Sequence, residues 1–195
     1  MNGRIVFLLE EPSMKTLLLG LLPRLFPGWI EHQHFLCIPH EGKSDLDKSI
    51  PIKLKAWRIP GDRFVIVRDN DNADCSDLKA RLRNICEDNG RSDTLVRLIC
   101  QELESWYIGD LQALARAFNS KLDTPALRKR FAEPDAWEKP SQELTRLVHE
   151  FQKGSAARLM AQHMHEIGNR SRSFNVFIDG LKRMAKQMGY QGTAQ

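Results

Sequence analysis

Residues 67–74 read Val-Arg-Asp-Asn-Asp-Asn-Ala-Asp, a D-x-D leaving an apolar run. Alternate residues leaving a strand point to one side, so Asp69 and Asp71 are expected to converge. Glu10 and Glu11 close an earlier apolar run in the same way. Carboxylates gathered at neighbouring strand ends repel one another, and a divalent cation relieves the repulsion. An all-oxygen donor set suits Mg²⁺ or Mn²⁺. Glu102 and Glu104, in Gln-Glu-Leu-Glu-Ser-Trp, offer ligands for a second cation, as two-metal phosphoryl transfer requires. A plainer reading stands beside each. Asp69 to Asp77 can form turns and cap the following helix. Glu102 and Glu104 can be first-turn acids that favour a helix dipole, and for Glu104 that reading is preferred.

Lys43 lies in Glu-Gly-Lys-Ser, at a strand-to-helix turn where a cation and free N–H groups could hold a phosphate. The upstream Gly of a Walker A loop is missing, and a solvated surface lysine is the simpler reading of Lys43. Arg170 and Arg172 sit in a Ser-rich turn, and Lys182, Arg183 and Lys186 fall on or beside one polar helix face. Together they are candidate contacts for nucleic-acid phosphates. His32 and His34 are read on one strand face. His163 is read as a hydrogen-bonded core residue, with no acidic or thiol partners at zinc spacing. The four Cys lack paired spacing and read as reduced thiols.

The elements that must position these groups follow from periodicity. Short apolar runs at Arg4–Leu9, Trp29–Pro39, Arg63–Arg68 and Leu95–Gln101 predict strands. Between them, helices are predicted from Pro12 to Phe26, from Ser44 and Asp45 (as caps) toward Trp57, and from Asp74 to Asp88. Strands alternating with helices predict an α/β layer with a mostly parallel sheet. In such sheets ligands sit at the carboxyl ends of the strands, where the D-x-D and Glu10 fall. After about residue 103 the pattern is helical. Ser173 is the expected cap of the last helix, and Glu133–Ser141 is the expected boundary between 1–132 and a basic helical region 133–195, with a single domain as the alternative.

Composition narrows the function classes. The 195 residues carry a net charge of +4. Residues 141–195 hold eight Lys or Arg against four Asp or Glu, so the whole excess lies there. No stretch approaches the ~20 apolar residues of a membrane span, and no signal peptide is visible, so a cytoplasmic protein is expected. No Ser-His-Asp pattern or nucleophile elbow is present. A haloacid-dehalogenase phosphatase is disfavoured, because the D-x-D follows the third strand and ends at Ala73.

Several motifs in order carry a family resemblance: L-L-E-E-P-S near the start, H-E-G-K-S-D-L at 40–46, R-D-N-D-N-A-D-C-S-D-L-K at 68–79 and C-Q-E-L-E-S-W-Y-I-G-D at 100–110. Later K-P-S-Q-E-L, F-Q-K-G-S-A-A-R and N-R-S-R-S-F segments agree. The chain resembles the bacterial domain of unknown function 4276 family, grouped with toprim-like folds. The resemblance implies a toprim-like, three-layer domain followed by a helical C-terminal region. It implies a divalent-metal-dependent nuclease using Glu10, Asp69 and Asp71, with Glu102 as a further acid and Lys153 near the scissile phosphate. Where many relatives carry a second acid after the first site, this chain has Met14 and Lys15, leaving Glu11 as the substitute. The resemblance further implies nucleic acid, DNA rather than RNA, as substrate, an ABC- or AAA-type ATPase partner and a role in phage defence. A non-catalytic nucleic-acid-binding or effector subunit of such a complex is the alternative.

Overall fold

A computed structural model describes residues 3–190. Four strands form one all-parallel sheet: β1 (Ile5–Leu9), β2 (Phe35–Pro39), β3 (Arg63–Asp69) and β4 (Leu95–Ile99), in the order β2-β1-β3-β4. Each crossover carries a helix: α1 (Pro12–Leu25), α2 (Lys43–Ala56) and α3 (Cys75–Asp88). The chain then becomes helical. α4 (Glu104–Ile108), α5 (Leu111–Ala117), α6 (Pro125–Arg130), a 3₁₀ turn at Pro134–Ala136, α7 (Pro140–Leu147), α8 (Lys153–His163) and α9 (Arg172–Gln187) follow. The expected architecture, α/β with a parallel sheet and a helical C-terminal region, is the one observed.

The continuous apolar runs become strands because both faces of the sheet are covered. Odd-numbered residues of β1 (Ile5, Phe7, Leu9) enter a cluster with α1, α8 and α9, while Val6 and Leu8 pack against α2 and α3. Three layers result. The cluster on the α1 side draws on residues from both sides of Glu133–Ser141, such as Leu21, Phe131, Met160 and Phe177. The small side chain of Ala161 lets α8 lie close to α1, where a Cβ on Gly20 would come within 2.8 Å of the Ala161 Cβ.

Several local expectations are corrected. Residues 29–34 are not strand. His32 takes a left-handed φ of 68° and His34 lies in the same turn, so the two share no strand face. His163 is half-buried rather than a core residue. α2 runs 14 residues, and its N-cap is Gly42 at φ 99°, not Ser44 or Asp45, because only glycine enters that φ cheaply. The cap of α9 is Ser171, whose side chain accepts from the Phe174 N–H. Ser173 instead gives its backbone N–H to Asp135 Oδ2 at 2.7 Å, so a distant carboxylate holds the same helix start. All four cysteines are free thiols. No described helix is long and apolar enough to cross a membrane.

Candidate functional site

β1 lies between β2 and β3, so the chain leaves β1 toward one edge and later crosses to the other. α1 covers one face and α3 the other. The carboxyl ends of β1 and β3 therefore border the topological switch point, where open α/β sheets form their crevice. Glu10 follows β1 and Asp69 ends β3. The Asp69 N–H donates to Glu10 Oε2 at 3.0 Å, and the Glu10 N–H donates to the Val67 carbonyl at 3.2 Å. Two carboxylates from strands far apart in sequence are thus placed side by side by the register of the ladder, which pairs Leu9 with Val67.

Asp69 is buried, and its Oδ1 has no hydrogen-bond partner among the described residues. Burial, and then the nearby Glu10, Glu11 and Glu104, push its carboxyl well above the usual carboxylate range. Burial also raises Glu10, to about 7. Its opposing partner is Arg68, whose Nε stands 3.8 Å from Glu10 Oε2 while its Nη1 donates to Asp47 at 3.1 Å.

Asp71 does not reach the site by strand alternation. β3 ends at Asp69, and Asp71 and Asn72 both turn into the left-handed region, with φ of 47° and 62°. The Asp71 side chain comes out at the surface and accepts from Lys43 Nζ at 2.9 Å. That bond, together with the Asp71 charge, raises the Lys43 ammonium above its ordinary range. Asp74 caps α3 through the Ser76 and Asp77 N–H groups. The acidic loop thus divides: one acid inward, one on a lysine, one on a helix end.

Glu102 also departs from its expected role, since its Oε2 accepts the Ser141 N–H at 2.8 Å and holds the start of α7. Glu104 takes the inward position. It is fully buried, and neither carboxylate oxygen has a hydrogen-bond partner among the described residues. Burial, joined by Glu11 and Glu102, raises it to about 7 against the pull of Lys153. The dipole reading of Glu104 does not account for that burial. A signal was present in the sequence: Glu104 stands among Leu103, Trp106, Tyr107 and Ile108, where an acid on an ordinary helix face would be exposed. Tyr107, also fully buried, has a hydroxyl with no partner among the described residues, and burial followed by Glu104 raises its pKa strongly. Sequence reading missed Tyr107.

Lys153 enters from the first turn of α8. Its Nζ donates to Glu11 Oε2 at 3.2 Å and lies 3.9 Å from Glu104 Oε1. Burial would depress the ammonium, but Glu104, Glu11 and Asp69 outweigh it and raise it to about 12. Glu11 occupies the N-cap position of α1 without a side-chain capping bond, and its carboxylate accepts from the Ser13 hydroxyl. The structure thus brings together Glu10, Glu11, Asp69, Glu104 and Lys153, with Asp71 and Lys43 at the rim.

The donor chemistry fits a hard cation: the cluster's acids are all carboxylates, and Asp69 Oδ1 and both Glu104 oxygens lack partners among the described residues. The geometry is incomplete in this arrangement. Among the described residues, no three His, Cys, Asp or Glu side chains are gathered closely enough to hold a metal. Lysines occupy part of the acids' coordination instead.

The basic residues separate. Arg170 donates to the Arg128 carbonyl at 2.6 Å, and Lys182 pairs with Glu166 at 2.8 Å. Arg172, Arg183 and Lys186 are exposed on α9, but Arg172 and Arg183 stand about 16 Å apart along its axis. They do not form a single patch.

A family profile described as domain of unknown function (DUF4276) matches residues 9–182, which contain the whole carboxylate cluster. No curated protein and no solved structure matches the chain.

Proposed function

The chain belongs to the DUF4276 family, and from that premise we propose that it is a toprim-type, divalent-metal-dependent nuclease acting on nucleic-acid phosphodiesters. One observation carries the reading. Asp69 and Glu104 are buried carboxylates with oxygens that find no hydrogen-bond partner among the described residues, beside Lys153, at the switch point of a parallel sheet. A protein that keeps like charges buried and unpaired sustains a cost of several kcal/mol. Functional sites are where such arrangements concentrate.

Glu10, Asp69 and Glu104 would have to draw closer together to hold Mg²⁺ or Mn²⁺, and Asp71 would have to part from Lys43 to join them. When bound, the cation would supply an activated water and neutralise charge on the phosphoryl oxygens. The chain's own groups do the rest. Lys153 sits on the acidic cluster and would shift toward an entering phosphate, whose charge replaces that of Glu11 as its partner. Lys43 would do the same from the rim. Glu10 is oriented by the Asp69 N–H, so its carboxylate needs no reordering. A preference for DNA, an ABC- or AAA-type ATPase partner and a role in phage defence belong to the same proposal and rest on the resemblance alone.

The second reading is a nucleic-acid-binding or effector subunit with an idle site. The absence of any three-ligand gathering among the described residues favours it. One assay separates the two: cleavage of labelled single- and double-stranded DNA and RNA with Mg²⁺ or Mn²⁺, for wild type and Asp69→Asn. Metal-dependent cleavage that Asp69→Asn abolishes supports the nuclease. Cleavage equal in both proteins, or none under any condition, overturns it.

A further inference from the structure

We propose that the free edge of β4, between α3 and α9, is a binding strip for a nucleic-acid phosphate backbone, formed by Lys79, Arg83, Arg97 and Arg183. The proposal deepens the nuclease reading by assigning the path along which substrate reaches the carboxylates.

Among the described residues β4 pairs with β3 alone, so its other edge carries no strand. Arg97 lies along that edge. Its Nη1 donates to the Val96 carbonyl at 3.0 Å and its Nε donates to the Val176 carbonyl of α9 at 3.1 Å. α9 crosses it at Gly180, where a Cβ would come within 2.3 Å of Arg97 Nη2. Arg97, 9% exposed, thus has its guanidinium held by backbone carbonyls among the described residues. Buried cations are ordinarily matched by a carboxylate. Here, among the described residues, no carboxylate comes within ion-pairing distance; Asp179 opposes only from farther away, and Arg183 and Arg83 add like charge.

Burial and then Arg183 and Arg83 depress Arg97, with Asp179 as the opposing charge. Burial and then Arg97 and Arg83 depress Lys79. Among the described residues none of the four makes an ion pair, while Arg81 on α3 and Lys182 on α9 do. Arg83 and Arg183 are exposed and reachable. The excess is a repulsion that a polyanion would relieve.

The strip also leads to the site. Arg97 lies two residues before Ile99, and Ile99 is paired in register with Asp69. Two strand residues span about 7 Å, close to one nucleotide step along a backbone. An acidic peptide would meet the same charge, but nothing about it would require continuity with a carboxylate cluster that repels it. A phosphodiester drawn to a metal there does require it.

The test is binding of a fluorescent oligonucleotide, single- and double-stranded, measured by anisotropy in EDTA on an Asp69→Asn background. Metal and cleavage then play no part, and failure of the strip is separable from failure of the nuclease reading. Arg83→Glu/Arg183→Glu should weaken binding about tenfold at low salt and lower the salt slope by about 2, as expected for two lost phosphate contacts. Lys55→Glu on α2 should change neither. Circular dichroism confirms folding, and Arg83→Gln/Arg183→Gln serves if the reversal misfolds, with a smaller loss of the same sign. Three results overturn the proposal: no oligonucleotide binding by the parent, binding unchanged in both pairs, or polyglutamate displacing the oligonucleotide at equal charge concentration.

Discussion

The backbone N–H of Asp69 donates to Glu10 Oε2 at 3.0 Å, so one carboxylate of the site is oriented by the residue that carries the next. The contact joins the carboxyl ends of two neighbouring parallel strands. It holds Glu10 in place while Asp69 Oδ1 has no partner among the described residues. Stability and function pull apart at this point, and the difference can be measured.

Asp69→Asn should raise metal-free stability. The substitution removes a buried charge set among Glu10, Glu11 and Glu104 and keeps the side-chain volume. A gain of about 1–2 kcal/mol at pH 8 is expected, which corresponds to a few degrees in a chain of this size. Thermal unfolding followed by circular dichroism reads it, and a lower melting temperature would falsify the assignment of Asp69 as an electrostatically costly residue.

Lys153 and Glu104 should be energetically coupled. Lys153→Met leaves Glu104 and Glu11 without their cation and should cost about 1–2 kcal/mol at pH 8, a figure kept small because the ammonium is half exposed. Adding Glu104→Gln should restore most of that loss. The double-mutant cycle by urea unfolding gives the coupling directly, and strict additivity would show that the two groups do not interact.

Metal-free stability should decline from about pH 5 to pH 8. Glu10 and Glu104 titrate near 7 in the folded chain against 4.5 unfolded, so the native state holds protons that the unfolded state has released. Their contribution is full below pH 4.5 and is lost as pH rises through 7. The slope reaches about 1.4 kcal/mol per pH unit for each group. Asp62, held below the ordinary range against burial by Arg4 and Trp57, acts in the opposite sense but only under pH 4. Added Mg²⁺ or Mn²⁺ should restore stability at pH 8 and do little at pH 5. Melting curves at both pH values, with and without metal, check both arms.

Asp135→Ala should loosen the start of α9. Its carboxylate accepts from the Ser171 hydroxyl and the Ser173 N–H, each at 2.7 Å. Loss of a charge-assisted pair to a helix start costs about 1–3 kcal/mol. Hydrogen exchange at Phe174 and Asn175 should accelerate more than exchange in β1, whereas uniform acceleration would indicate a global effect.

Local chemistry in the chain was enough to determine the fold class and the strand ends at which the candidate acids fall. Apolar runs of strand length alternating with helical spacing specify a parallel α/β layer, because each run must be covered on both faces. The acids after the first and third runs then fall at strand ends. Local pattern also showed that 141–195 hold the positive excess. It could not rank the acids. Glu102 and Glu104 lie two residues apart in one motif, and what separates them is α7, whose Ser141 N–H draws Glu102 away while Glu104 turns into the core. Asp69 and Asp71 differ for a similar reason: the strand ends between them, and two left-handed residues carry Asp71 to Lys43. Lys153 reaches Glu11 across 142 positions, a contact made only when α8 packs on α1. Periodicity reports which face of an element is covered. Which carboxylate is buried without a partner depends on groups brought in from distant sequence, and only tertiary packing decides that.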